Sequence, residues 1–400
     1  MRIAQVAPLF ESVPPQLYGG TERVVSYLTE ELVRQGHEVT LFASGDSQTT
    51  AKLVAACPRA LWRDASCRET LPHHVRLMEL VFEDVSRFDV IHFHCDFVHF
   101  PMLRRLPCPS VTTLHGRLHA PDLEAFFNTY TEVPLVSISD DQRRPIPGAR
   151  WEATVHHGLP RKLHSFQQWP GDYLAFLGRI SPEKRLDRAI AIARRAGMRL
   201  KVAAKICADE RGYFQETIEP LLRDAKSFVE FIGEVGGREK DEFLGNAQAL
   251  LFPIDWPEPF GLVMIEALAC GTPVVAWRNG SVPEVIDDGV TGFIVDNEEE
   301  AVRAVGGVGR LSRNVCRAVF EERFDAARMA QDYVEVYRRL VHGAAEPWSP
   351  WQRAVQRLPA LAGRFGARDG SFLDAPGVRS STAVACALQD AHSARPRWPR

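Results

Sequence analysis

The sequence contains no apolar run of about eighteen residues or more, so no membrane-spanning helix is expected. It holds eight cysteines (57, 67, 95, 108, 207, 270, 316 and 386) but no C-x-x-C pair. They are scattered, and several, such as Cys270, lie in apolar segments, so they read as reduced thiols rather than as a disulfide framework or a zinc site. The opening MRIAQVAPLF lacks the pattern of a secretory signal and runs straight into a strand. These absences point to the cytoplasm and leave only peripheral membrane contact open. The net charge of −3 provides no global field for nucleic acid. G-x-G-x-x-G is missing, which excludes the ordinary dinucleotide fingerprint. No internal repeat of about 20–50 residues is visible.

What is present is an ordinary globular balance, 45% hydrophobic and 25% charged, over 400 residues. One core rarely serves more than about 250 residues, so the length suggests about two domains. Short apolar runs alternate with amphipathic stretches throughout, the signature of α/β architecture with parallel sheets.

The most informative stretch is 250–275, LLFPIDWPEPFGLVMIEALACGTPVV. The run 250–254 reads as a buried strand, and an acidic turn with two prolines follows. A helix is predicted from about Gly261, stopped by Gly271 and Pro273, with a second strand at 273–276. The helix start exposes backbone N–H groups and the positive end of the dipole, a ready anion site. Glu258 lies in the turn and Glu266 inside the apolar helix, where a carboxylate is costly unless bonded. A structural Glu capping a neighbouring loop is the alternative.

The chain opens as strand 2–8, a loop with Gly19-Gly20, a helix 22–35 with Thr21 as its cap, and strand 38–43. Gly19-Gly20 is either a tight turn or a place where backbone approaches a diphosphate at a helix start. Residues 44–72 read as less regular, followed by a helix 74–86 and a strand 89–94. His92 and His94 then share one strand face, with Asp96 and His99 near, but no fourth ligand at a characteristic spacing accompanies them. Packing, hydrogen bonding and acceptor contact are the expected roles. His115 ends the strand 110–114 and is followed by Gly116, which places it at a cleft. Strand 134–139 and the segment 151–158 close the first domain, and 159–170 reads as a linker.

The second half opens with strand 173–177 and GRISPEKR. Ser181 with Pro182 reads as a helix start, bringing Arg179 and Lys184 to a strand end beside a helix N-terminus. Solvated surface charge is the alternative. Lys205 ends the strand 199–205, facing the cleft. A helix 210–223, strand 228–232, loop 233–237 and helix 238–246 lead into the central stretch. Strand 292–295 and helices at 297–305 and 325–341 end the folded part. Residues 345–400 hold eight Arg, no Lys and no sustained periodicity, and read as a disordered tail.

EPFGLVMIE, within PEPFG and followed by CGTPVV, resembles the E-x7-E signature of retaining glycosyltransferases of family 4. GRISPEKRLDRAI resembles the same family's G-R-x-x-x-x-K segment. The resemblance covers residues 1–342. It implies the GT-B fold, two Rossmann-like domains facing across a cleft, with the last helix crossing back to the first. The domains would span 1–160 on the acceptor side and 171–323 on the donor side, with 324–342 as the crossing helix. It further implies that Glu258, with Phe260, Gly261 and Leu262, contacts the donor sugar, and that Glu266 holds the ribose. Arg179 and Lys184 would bind the diphosphate, with Gly19 and Gly20 near the phosphates. Lys205 faces the same site, and Gly233, Glu234 and Val235 would cradle the base through backbone groups. His115 would contact the transferred sugar or the reacting phosphate. His119 stands where the family's HGRLD segment has Asp, a departure on the acceptor side.

The expected activity is therefore metal-independent transfer of a sugar, with retention, from a nucleoside-diphosphate donor such as a UDP- or GDP-sugar. The acceptor is a glycan, a natural product or a lipid-linked molecule, and no cofactor is expected. The rival readings are a nucleotide-sugar epimerase or hydrolase of the same architecture, and a non-catalytic nucleotide-sugar sensor.

Overall fold

The strand–helix alternation folds into two parallel sheets in the computed structural model, which describes residues 1–16 and 19–343. The first sheet contains β1 (Arg2–Val6), β2 (Glu38–Ser44), β3 (Lys52–Cys57), β4 (Val90–Phe93), β5 (Ser110–Thr113), β6 (Leu135–Ser137) and β7 (Trp151–Thr154). Its order is β3-β2-β1-β4-β5-β6-β7. The second contains β8 (Tyr173–Arg179), β9 (Arg199–Lys205), β10 (Val229–Gly233), β11 (Ala247–Phe252), β12 (Val274–Trp277) and β13 (Gly292–Val295), in the order β10-β9-β8-β11-β12-β13. Helices cover both faces of such sheets, so the inner strands are apolar almost without interruption. In β11, Ala249, Leu250 and Leu251 are all buried.

The first half carries α1 (Gly20–Arg34), α2 (Leu71–Glu83), α3 (Phe100–Leu103) and α4 (Pro121–Thr129). The second carries α5 (Leu186–Ala196), α6 (Arg211–Tyr213), α7 (Glu219–Asp224), α8 (Gly237–Gly245), α9 (Leu262–Ala269), α10 (Val282–Val285), α11 (Glu298–Gly307) and α12 (Arg313–Arg323). The last helix, α13 (Ala326–Gly343), returns to the first sheet. Its apolar stripe, Met329, Tyr333, Tyr337 and Leu340, packs with Val24, Leu28 and Leu32 of α1 and with Ile3, Val90 and Val111 of the strands. The two chain crossings between the halves run side by side: Leu159 N–H donates to Phe324 O at 2.9 Å, and Ala326 N–H to Leu159 O at 2.9 Å.

Both sheets reverse strand order once, between β1 and β4 and between β8 and β11. Open α/β sheets build their sites beyond the carboxyl ends of strands at such points. The loops after β1 and β4, and those after β8 and β11, hold Gly19-Gly20, His94, Arg179–Lys184 and Glu258 respectively.

Several local expectations need correction. Residues 44–72 are not irregular, since Lys52–Cys57 forms β3 beside β2. Three long helices, α11, α12 and α13, close the fold rather than two. Helix α4 had no counterpart in the sequence reading. The expected helix 210–223 is interrupted by a π turn at Phe214–Ile218. Thr21 does not cap α1, which begins one residue earlier with Gly19 in the N-cap position and no side-chain cap. The reading of 345–400 as a disordered tail lies outside the described residues. No helix among the described residues is long and apolar enough to cross a membrane.

Candidate functional site

Arg179 ends β8 directly opposite Lys205 at the end of β9, so the parallel register itself brings the two cations together. The chain beyond Arg179 is not yet helical. Ser181 caps nothing; Pro182–Lys184 makes one 3-10 turn, Arg185 takes a left-handed φ of 53°, and α5 starts only at Leu186. The helix start expected at Ser181 is therefore displaced, and what the turn presents to the cleft is Lys184. Its ammonium bonds the Glu258 carboxylate and lies 4.9 Å from the centre of the Trp256 ring. Trp256 Nε1–H donates to the same carboxylate oxygen at 2.8 Å. Arg179 pairs with Glu183 at 3.2 Å. Asp255 N–H donates to Glu183 O at 2.8 Å, which ties the β8 loop to the β11 loop.

The β11 loop turns sharply into α9 at Gly261, whose φ of 79° and whose 2.9 Å clearance from an added Cβ to Met264 leave room only for glycine. Gly280 pins the same loop from the other side: a Cβ there would lie 2.3 Å from Glu258 O. Ser281 donates its backbone N–H to Glu258 O at 3.0 Å and its hydroxyl to Phe260 O at 2.7 Å. The Phe260 side chain is buried against His157 and Phe324, which leaves only its backbone available to a ligand. Val235 is likewise buried in the loop after β10, where Gly233 has a φ of 82° and Glu234 is exposed.

Glu266 is 3% exposed, and its carboxylate meets Lys240 Nζ of α8 at 3.0 Å. Burial raises its pKa, but Lys240, His164 and Arg23 outweigh that, and the carboxyl is held below its ordinary range. Arg23 belongs to α1 in the other half. Facing it, a Cβ on Gly20 would stand 3.8 Å from Leu262 Cδ1, so the starts of α1 and α9 oppose each other across the cleft. The site thus holds two lysine–glutamate pairs, Lys184–Glu258 and Lys240–Glu266, beside two helix N-termini.

On the other wall, His115 Nε2 lies 2.9 Å from His94 Nδ1, and its ring stacks on His157 at 5.3 Å. His157 in turn lies 4.9 Å from Phe260, so His115 reaches the glutamate loop through one ring. Burial among these rings pushes the His115 imidazole down to about 3. His119 is exposed, while its neighbour Arg117 places its guanidinium 5.4 Å from the Trp256 ring. Burial pushes the Glu22 carboxyl in the first turn of α1 up to about 7, with Glu11 and Asp96 adding to it. A second bridge closes the cleft at its base. Glu284 accepts from the backbone N–H of Asp140 at 2.8 Å and Asp141 at 2.9 Å, and its carboxylate meets His156 Nε2 at 3.0 Å.

Sequence reasoning missed Lys240, Trp256, Arg117, Arg23 and Glu284. Arg23, Arg117 and Glu284 gain their partners only where one half packs on the other, Lys240 meets Glu266 across two helices of the second half, and Trp256 bonds Glu258 within its own loop. The histidines of HFHCDFVHF form no metal group. His92 bonds Tyr337 and Thr113, His94 bonds His115 and Gln5, and His99 Nε2 meets Thr112 Oγ1 at 2.7 Å. Among the described residues, the side chains grouped closely enough to hold a metal are instead His164, Asp241 and Cys270, where the imidazole and carboxylate already bond each other at 2.5 Å.

Residues 18–206 match the family described as Glycosyltransferase Family 4, and residues 167–314 match Glycosyl transferases group 1. A D-inositol 3-phosphate glycosyltransferase of Actinosynnema mirum is 37% identical over 175 residues, covering 41% of this chain and 40% of that protein. The solved structure of AviGT4, a glycosyltransferase involved in avilamycin A biosynthesis, superposes with a TM-score of 0.67 at 28% identity, covering 86% of this chain and 98% of that one. The complex of Anabaena HepE with UDP and glucose shares the fold at 18% identity and a TM-score of 0.66, covering 85% and 100%. With one family description spanning most of the first half, another most of the second, and the two-sheet architecture shared along the length of solved relatives, the chain belongs to the GT-B glycosyltransferases of family 4.

Proposed function

We propose that the enzyme moves a sugar from a nucleoside-diphosphate sugar to an acceptor with retention at the anomeric carbon, and without a metal. The observation that carries this reading is the convergence of Lys184–Glu258, Lys240–Glu266 and the starts of α1 and α9 at one cleft. Such an array suits a ligand with a diphosphate at its centre and hydroxyls on both sides. Arg179, Lys184 and the two helix starts stabilise the negative charge that develops on the leaving diphosphate, the electrostatic role a divalent ion would otherwise take. Lys205 adds to that charge from the next strand, and the backbone at Gly233, Glu234 and Val235 holds the base. Lys184 exchanges Glu258 for phosphate oxygens when the donor enters, which releases the Glu258 carboxylate to sugar hydroxyls. Glu266, oriented by Lys240, takes the ribose. His115 faces the sugar. In the transfer the bond from C1 to the diphosphate oxygen breaks, and the acceptor oxygen bonds C1 on the same face. The acceptor proton passes to the departing phosphate oxygen. That HepE holds UDP and glucose on the same fold supports this class of donor.

A thermal-shift series with UDP-glucose, UDP-galactose, UDP-N-acetylglucosamine and GDP-mannose tests the reading. A ligand at about 100 times its Kd adds about 2.7 kcal/mol to stability. At least one of these donors is expected to raise the melting temperature; if none does, the reading fails. With the donor so identified, transfer is expected to survive EDTA. Loss on chelation, restored by one specific divalent ion, would overturn the metal-independent mechanism.

Arg179→Ala and Lys184→Ala are each expected to weaken nucleoside-diphosphate binding by about 1.5–3 kcal/mol, the scale of a charge-assisted hydrogen bond. Lys184→Ala is expected to be the worse of the two, because it also leaves Glu258 unneutralised beside the phosphates. Calorimetry showing unchanged affinity in both variants would refute the diphosphate assignment.

A further inference from the structure

The buried histidines of the first half are linked into one hydrogen-bonded chain that begins on the crossing helix. Thr113 Oγ1 lies 3.0 Å from Tyr333 OH, and His92 Nε2 lies 2.8 Å from Thr113 Oγ1. Tyr337 OH lies 2.7 Å from His92 Nδ1, and Gln5 Nε2–H donates to Tyr337 OH at 3.0 Å. On the other side of its amide, Gln5 Oε1 lies 2.8 Å from His94 Nε2, and His94 Nδ1 lies 2.9 Å from His115 Nε2. The far end, His115 Nδ1, is enclosed and has no hydrogen-bond partner.

The positions of the protons follow from chemistry once the Gln5 amide is oriented with its nitrogen toward Tyr337. A carbonyl oxygen only accepts, so His94 carries its proton on Nε2. His94 is neutral, because burial and the neighbouring His92, His115 and His157 disfavour its charge, so its Nδ1 is bare. The proton between His94 and His115 must then sit on His115 Nε2. His115 is neutral as well, which leaves its Nδ1 as a lone pair. The opposite amide orientation would reverse every link and put a proton on His115 Nδ1. With the Gln5 amide nitrogen toward Tyr337, the tyrosine hydroxyl takes the Gln5 N–H and passes its own proton to His92, which hands on to Thr113 and Tyr333.

We propose that α13, through Tyr337, Gln5 and His94, sets the tautomer of His115 so that Nδ1 meets the donor as a pure hydrogen-bond acceptor. Gln5, His94 and Tyr337 are positioning residues. The proposal rests on the reading of His115 as a group that faces the donor, and it decides between two partners for it. A bare nitrogen cannot donate to a phosphate oxygen but accepts from a sugar hydroxyl. The crossing helix therefore does more than cover the first sheet: its register determines the polarity of one wall of the site.

Ring nitrogen shifts of the full chain labelled with 15N-histidine test this. The His115 signals are assigned by their loss in His115→Asn. The expected result is a single Nε2–H tautomer for His115. Tyr337→Phe, which keeps the ring and removes the hydroxyl, is expected to mix the two tautomers. With the donor found by thermal shift, it is expected to lower kcat about 10-fold, with Kd for that donor's bare nucleoside diphosphate unchanged. Gln5→Met is the second variant and should act in the same way. A His115 protonated on Nδ1 in the native chain overturns the proposal whether or not the variants fold. So does an unaltered tautomer in a folded Tyr337→Phe. Failure of every nucleotide sugar to bind, with the Nε2–H tautomer intact, would instead remove the functional reading and leave the proton assignment standing.

Discussion

Lowering the pH from about 7.5 to about 5.5 is expected to remove on the order of 5 kcal/mol of stability, enough to unfold a domain of ordinary stability. The cause is the set His92, His94, His99, His115 and His157, all of which burial holds neutral; the imidazoles of His99 and His115 are pushed down to about 3. The charges acting on His92, His94 and His157 are those of other histidines and of Arg328, all of one sign, so none favours protonation in the fold. A histidine whose folded pKa lies below its unfolded value of about 6.5 contributes stability that is fully present above that pH and is lost as the pH falls toward the folded value. Each such group costs about 1.4 kcal/mol at a pH one unit below the unfolded pKa, so the five together cost about 7. Glu22 works in the opposite sense. Its carboxyl is raised to about 7, so the folded state takes up a proton that the unfolded state does not, which returns about 2 kcal/mol over the same interval. The histidines win by number. Urea unfolding across this pH range measures the effect, with the midpoint expected to fall steeply below about pH 6.5. His99→Asn should make the fall shallower by about one proton, because His99 lies off the relay and stacks on Phe93 at 3.9 Å. A midpoint that stays level from about pH 7.5 to 5.5 would show that these rings gain protons without penalty.

Glu258→Gln and Glu266→Gln are expected to fail in different ways. Glu266 sits inside α9, almost fully buried and bonded to Lys240, on the side where the ribose should lie. Glu258 sits before the helix start, held by Lys184 and Trp256. Glu266→Gln should weaken binding of both the bare nucleoside diphosphate and the sugar donor, since both contain ribose. It also removes the charge that neutralises Lys240, and a buried ion pair broken at one partner costs about 3–5 kcal/mol, so this variant should melt lower as well. Glu258→Gln keeps a carbonyl for Trp256 and frees Lys184 for the phosphates, so bare diphosphate should bind as well as before or better. Turnover with the intact donor should fall about 10- to 100-fold, the loss typical of a positioning contact. Paired titrations of both variants, with diphosphate and with donor, distinguish the roles. If Glu258→Gln weakens bare diphosphate as strongly as Glu266→Gln does, Glu258 does not face the sugar. If neither variant changes binding or turnover, the pair is structural.

The elements legible in the sequence were those whose signal is local. Strand β11, the sharp turn at Gly261 and the apolar helix behind it follow from an apolar run, a glycine that must turn and a helical period ended by Gly271. The last helix was legible for the same reason, since Met329, Tyr333, Tyr337 and Leu340 recur at helical spacing, whereas its return to the first sheet was implied only by the family resemblance. Where the chain departs from expectation, a contact distant in sequence overrides the local signal. Pro182 after Ser181 reads as a helix start, yet Glu183 O takes the N–H of Asp255 and Lys184 reaches Glu258, and these contacts hold the segment as a turn. Strand β3 was missed because its alternation is weak, and pairing with β2 supplies what its own sequence does not.

The sequence by itself determined that two parallel sheets would form and which strand ends would carry Gly20, His115, Arg179, Lys184, Lys205 and the two glutamates, because strand and helix periods are properties of neighbouring residues. It could not determine the partners of those charges. Lys240 for Glu266, Lys184 for Glu258 and Glu284 for the Asp140-Asp141 turn are separated by 26, 74 and 144 positions or nearly so. Nor could it determine the proton on His115, which depends on a glutamine in β1 and a tyrosine in the last helix. A carboxylate or an imidazole takes its protonation from whatever the fold places within a few ångströms, and in a two-sheet protein with a returning helix those neighbours come from other elements, for Gln5 and Tyr337 from opposite ends of the chain.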